Sequence, residues 1–201
     1  AAAGAGALGM LGPTLMREKL GVDEVVTTLL LNFVILLFVQ MMLEGPMQDP
    51  MGLGWPQSEP VLREAELPRL VERTRLHAGL LIGFLCAAAL AFTLSRAVWG
   101  FRLRAVGENP SAARHAGMPV ARTLIGVGLL SGALAGLAGA GEILGVKGYL
   151  TADLSPGFGY AGIVVAMLAG LSPLGAAAAS IYVAAVFVGA DSMSRALGVS
   201  S

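Results

Sequence analysis

LSPGFGYAGIVVAMLAGLSPLGAAAASIYVAAVFVGA, residues 154–190, runs for 37 positions without one charged side chain. A helix rises about 1.5 Å per residue and the hydrocarbon core of a bilayer is about 30 Å thick, so this stretch exceeds one crossing. The chain must turn within it. Leu171-Ser172-Pro173 marks the place, because proline cannot donate the next helical hydrogen bond and pushes the preceding residue off helical geometry. What precedes the break, residues 159–171, is short for a crossing and suits a half-helix buried in protein.

Three further uncharged runs, residues 25–43, 78–95 and 123–141, are 19, 18 and 19 residues long. Each is close to the roughly 20 needed for a transmembrane helix. With 56% apolar and 13% charged residues and a mean hydropathy of +0.76, the chain lies outside the soluble range. The expected fold is an all-α polytopic transmembrane bundle of about four to five spans: five crossings, or four and a re-entrant helix. The opening residues 1–9 carry no basic segment of the kind a signal peptide needs. They read as part of an apolar element already under way, and the tail 198–201 as a point where another span follows.

The loops orient the bundle. Residues 44–77 hold six acids (Glu44, Asp49, Glu59, Glu64, Glu66, Glu72) against four arginines, with prolines at 46, 50, 56, 60 and 68. They read as an irregular external loop with a short amphipathic helix over 64–75. The next loop, 100–122, carries Arg102, Arg104, Arg114 and Arg122 against Glu108, with Arg96 just before it. That cation excess reads as cytoplasmic. Counted alternately, 145–157 is external, 172–175 internal and 191–201 external.

Chemistry is sparse. Two stretches match G-x-G-x-x-G, at 4–9 and 157–162, but neither follows a strand and glycine supplies 28 of the residues, so both are read as chance. There is no G-x-x-x-x-G-K-[ST] run for nucleotide hydrolysis. The two histidines, His77 and His115, sit in or beside loops without metal-ligand spacing. Cys86 is the single cysteine, a small apolar residue in mid-span. Zero net charge argues against a nucleic-acid partner. No catalytic residue and no metal ligand is assigned.

Three patterns remain. Gly128, Gly132, Gly136 and Ala140 recur every four residues, a small-residue stripe for close helix packing. Glu24, Thr28 and Asn32 share one helix face within about 80°. They line a translocation path or, alternatively, Asn32 bonds a neighbouring helix for about 1 kcal/mol. In the cation-rich loop, Asn109 can cap a short helix with Pro110 at its first position, and Gly117 can end it.

At these residues the chain resembles the permease family of bacterial ABC importers for sugars, nucleosides and branched-chain amino acids. The family pattern G-x-N-P-x-A-A-x-x-A-G is present as Gly107, Asn109, Pro110, Ala112, Ala113, Ala116 and Gly117. Three other stretches extend the likeness: 24–32 (EVVTTLLLN), 134–142 (LAGLAGAGE) and 155–163 (SPGFGYAGI). Together they are most similar to the nucleoside and simple-sugar branch, although residue 23 is Asp where that branch often has Asn.

The resemblance implies one permease domain over 1–201, lacking the family's opening and last spans, with residues 100–119 as the coupling loop. Arg104, Gly107, Asn109, Pro110, Ala112, Ala113, Arg114 and Gly117 would then relay closure of a separate ABC ATPase subunit, and Glu24, Thr28 and Asn32 would line the substrate path. ATP would be bound by that partner and no cofactor by this chain. A second permease subunit and a periplasmic or lipoprotein substrate-binding protein complete the implied assembly, in the bacterial plasma membrane. A secondary carrier or channel and a non-transporting scaffold are the competing readings. The choice among nucleoside, sugar and another small polar solute stays open.

Overall fold

The computed structural model describes residues 1–201 except 53, 72, 73, 75, 156 and 198–201. The described residues form α1 (Ala2–Leu20), α2 (Glu24–Leu43), α3 (Ala78–Arg96), α4 (Val98–Glu108), α5 (Pro110–His115), α6 (Val120–Glu142), α7 (Phe158–Leu168) and α8 (Pro173–Leu197). Among them there is no strand, only two isolated bridges. The helices α2, α3, α8, and α6 with its continuation to Lys147, are long and apolar enough to cross a membrane. The fold is an all-α, multi-pass membrane bundle. No residue in the apolar windows of α2 and α3 is buried within the chain. Surfaces displaying Phe33, Phe38, Leu81 and Leu85 are unfavourable in water and suit contact with lipid or with further apolar helices.

The chain forms two compact units, Ala1–Leu81 with Val98–Leu154, and Ile82–Ala97 with Ser155–Ser201. The first is built on α1 lying antiparallel to α6, the most extensive helix pairing in the chain. The predicted stripe explains the contact. A Cβ placed on Gly132 would strike the Gly6 carbonyl, one on Gly136 the Ala2 carbonyl, and one on Gly128 the Thr14 side chain. Backbone therefore meets backbone, and close approach supplies the dispersion that drives helix association where water does not. Thr14 is buried at this seam and satisfies its hydroxyl by donating to the Met10 carbonyl at 2.6 Å. Pro13 beside it has no N–H, so the helix tolerates it by leaving one carbonyl without its usual donor. Residues 2–9 belong to α1, which ends in the charged run Arg17-Glu18-Lys19.

The α1–α2 turn is chemically defined. Gly21 takes the left-handed conformation, φ 65°, that glycine adopts without strain. Its N–H donates to the Arg17 carbonyl at 3.1 Å. Asp23 then caps α2, its Oδ1 accepting from the Val25 N–H at 2.8 Å, in accord with the preference for Asp at that position.

Residues 44–77 depart from expectation. The predicted amphipathic helix over 64–75 is absent among the described residues, where a single 3-10 turn, Arg63–Ala65, takes its place; positions 72, 73 and 75 lie outside them. Pro68 accounts for this, since it lacks an N–H and holds Leu67 extended. The loop instead pairs with the segment that follows α6. Ser58 N–H donates to the Leu150 carbonyl at 3.0 Å, Val61 to Gly148 at 2.7 Å and Leu67 to Leu144 at 2.8 Å. Ser58 Oγ accepts from the Leu150 N–H at 2.9 Å in return. The segment is freed for this by a π-turn, Ile143–Lys147, closed by Gly148 at φ 74°. The His77 ring sits where a Cβ on Gly145 or Gly79 would fall, and its Nδ1 accepts from the Gly79 N–H at 3.1 Å.

In the second unit α7 has 11 residues, about 16 Å, half the hydrocarbon core. It is too short to cross alone, and no residue of it is buried by the described chain, so the expected burial of a half-helix in protein is not met within this chain. The break falls where predicted: Gly170 and Leu171 both take positive φ, 57° and 59°, and α8 starts on Pro173. A Cβ on Gly175 would lie 2.9 Å from the Ala169 carbonyl, so glycine lets the first turn of α8 fold against the end of α7. Pro156, in the family-like stretch 155–163, and the tail 198–201 lie outside the described residues.

Candidate functional site

The cation-rich turn between α3 and α6 is more helical than the sequence suggests. After a one-residue break at Ala97 the chain re-enters helix as α4. Asn109 ends it: extended at φ −153°, its Oδ1 accepts from the Ala112 N–H at 3.0 Å. Pro110 occupies the first position of α5, where a missing N–H costs nothing. The other end is a Schellman closure. Gly117, at φ 76°, donates to the Arg114 carbonyl at 3.0 Å, and the Met118 N–H to the Ala113 carbonyl at 3.0 Å. That is the pair of bonds by which a left-handed residue satisfies the last carbonyls.

Packing fixes the six-residue helix to its neighbours. Val106 of α4, Ala113 of α5 and Val120 of α6 are buried together, with Met118 and Leu124 packed against them. Thr123, also buried, closes its hydroxyl on the Pro119 carbonyl at 3.0 Å. The proposed coupling residues thus divide. Ala113 faces the chain's own core, whereas Arg104, Gly107, Asn109, Pro110, Ala112, Arg114 and Gly117 are exposed. The result is a small projection, capped at both ends of α5, with the guanidinium groups of Arg102, Arg104 and Arg114 exposed. Sequence reasoning missed the anchor itself, although apolar Val106 and Val120 flanking the motif are its signal.

The residues proposed for the path have different partners. Glu24 forms an ion pair with Arg17 across the α1–α2 turn. Thr28 Oγ1 donates to the Glu24 and Val25 carbonyls, at 2.8 and 3.0 Å. Asn32 is exposed at mid-span, on the face where hydrocarbon is the most costly neighbour for an amide. Of the packing stripe, Gly128, Gly132 and Gly136 meet α1, and Ala140 continues it half-buried. Among the described residues no three His, Cys, Asp or Glu side chains converge as a metal site would require.

A multi-pass helical membrane protein with one ordered, cation-bearing turn is the class that fold and site define. The chain belongs to the family described as the permease component of the branched-chain amino acid transport system, whose model matches residues 1–198. It is 36% identical over 197 residues to a glucose ABC transporter permease of Haloferax volcanii, covering 93% of this chain and 52% of that protein. It is 34% identical over 207 residues to a guanosine ABC transporter permease of Bacillus subtilis, covering 100% and 58%. A nucleoside ABC transporter permease of Lactococcus lactis subsp. cremoris is 30% identical over 191 residues, covering 91% and 52%. The chain spans about half the length of these relatives. No solved structure matches it.

Proposed function

We propose that this chain belongs to the membrane permease subunit of an ATP-driven ABC importer, residing in a bacterial plasma membrane and carrying a small polar solute, a nucleoside or simple sugar. The observation that carries the reading is the turn at 104–118: a capped helix anchored from behind by Ala113, presenting Arg104 and Arg114 outward. An element ordered at both ends and offered to water fits a docking contact better than a plain connector. The printed names of the glucose, guanosine and nucleoside relatives support the solute class.

ATP is bound and hydrolysed on a separate ATPase subunit, and this chain holds no cofactor. A second permease subunit shares the path, and a periplasmic or lipoprotein binding protein delivers the solute at the opposite face. Asn32 and Thr28 line the path. Glu24, held by Arg17, stands at its cytoplasmic mouth.

Co-purification of the full-length permease with its cognate ATPase tests this. Wild type retains the ATPase, and Arg104→Glu combined with Arg114→Glu loses it while the permease stays monodisperse, since both side chains are exposed. Absence of association in either form would favour a carrier or scaffold.

A further inference from the structure

Among its described residues, the loop after α2 displays two large apolar side chains, Met51 and Trp55. As the helix ends, the chain folds back on it, the Met47 N–H donating to the Met42 carbonyl at 2.9 Å. A closed loop follows at 49–57. At its base the Asp49 N–H donates to the Gln57 carbonyl at 2.9 Å, and the Asp49 carboxylate accepts from the Met51 N–H at 2.9 Å and from Gln57 Nε2 at 3.5 Å. Within it, Gly52 N–H donates to the Asp49 carbonyl at 3.0 Å and Trp55 N–H to the Gly52 carbonyl at 2.9 Å. Among the described residues of the loop, Met51 is 89% and Trp55 73% exposed; position 53 lies outside them.

Three observations say what covers them. Positions 50–58 carry no charge, so the tip offers none of the polar rim by which soluble partners dock. Its ends are tied to the ends of two span-length helices: Met47 is bonded to the last turn of α2, and Ser58 to Leu150, three residues beyond Lys147, where the helical continuation of α6 stops. The last turns of α2, to which the loop is bonded, also expose large apolar side chains, Phe38 and Met41. Tryptophan concentrates at the ends of spans, where its ring meets acyl chains and its N–H meets headgroups.

We propose that the 49–57 loop is an interfacial anchor whose Met51 and Trp55 insert into the headgroup layer of the leaflet at the C-terminal end of α2. It fixes the depth of α2 and, through Ser58, of the segment following α6. The inference rests on membrane embedding alone and is independent of the transport reading.

Bromolipid quenching tests it. Native protein and Trp55→Phe are reconstituted in nanodiscs of phosphatidylcholine, unmodified or brominated near the headgroup, and the difference in emission isolates Trp55. The expected component is blue-shifted, loses most of its intensity in brominated lipid and resists aqueous iodide. Met51→Asp in the native background reduces the bromine-sensitive loss. A Trp55 component quenched by iodide and untouched by bromine would overturn the anchor, and its shielding by an added solute-binding protein would assign the tip to protein docking instead.

Discussion

Replacing Gly132 with alanine probes the backbone contact between α1 and α6. The added Cβ would overlap the Gly6 carbonyl and lie 2.7 Å from Met10 Cγ. The methionine end can swing away, but the carbonyl is fixed in its helix, so the two helices must part by about 1 Å, enough to forfeit a quarter to a half of each dispersion contact along the seam. Overpacking of this kind costs about 1–3 kcal/mol, against about 0.5–1 kcal/mol returned because alanine is the better helix former. The expected net loss for Gly132→Ala is about 1–2 kcal/mol. Gly139→Ala, with nothing within 4 Å, and Gly126→Ala, whose nearest neighbour is Trp99 at 3.8 Å, incur no such overlap and remain neutral or slightly stabilised. Gly6→Ala meets the same gap from the other side. The double variant therefore loses less than the sum of the singles, because helices already parted accept the second methyl. Denaturation of the purified permease in mild detergent, read as midpoint shifts across this set, measures it. Equal stability of Gly132→Ala and Gly139→Ala would refute the close approach.

Other outcomes follow from the same geometry. Asn109→Ala removes the cap of α5 and destabilises the turn by about 1 kcal/mol, visible as faster amide exchange at Ala112 and weaker ATPase retention; Asn109→Asp keeps both. Gly145→Ala collides with the His77 ring and loosens the pairing of the 58–67 arm, and His77→Ala restores protease resistance in the double variant. Glu24→Gln leaves stability within about 1 kcal/mol, since an ion pair this exposed contributes little. Asn32→Leu preserves assembly and abolishes uptake where the path reading holds, and leaves uptake intact where Asn32 serves only packing.

The spans were legible because hydrocarbon enforces length and the absence of charge so strictly that residues 25–43 and 78–95 match α2 and the body of α3. The break before Pro173 and the capped helix at 109–117 were equally plain, since each depends on residue types with narrow backbone chemistry. What escaped depends on partners carried by other elements, whether near in sequence or far. The extended pairing of Ser58, Val61 and Leu67 with 144–150 is made by backbone groups, which carry no side-chain signature. The inward role of Ala113 depends on Val106 and Val120 arriving from two other helices, and α4 was hidden by arginines that resemble a loop's. Glu24 looked like part of a polar stripe, yet its partner Arg17 sits on a different helix.

The contact of α6 with α1 also has a mechanical meaning. Where backbone meets backbone, at Gly132 against Gly6 and at Gly136 against Ala2, little side chain lies between the helices to absorb strain, so a displacement of one is passed to the other. Helix α6 has the α5 projection at one end and, through the π-turn, the 58–67 arm at the other. With 23 residues in α6 it is about 35 Å long, and a tilt of about 5° around its middle displaces each end by about 1.5 Å. A displacement of that size at one end of α6 is thus matched at the other by leverage, with no change of conformation needed along the helix.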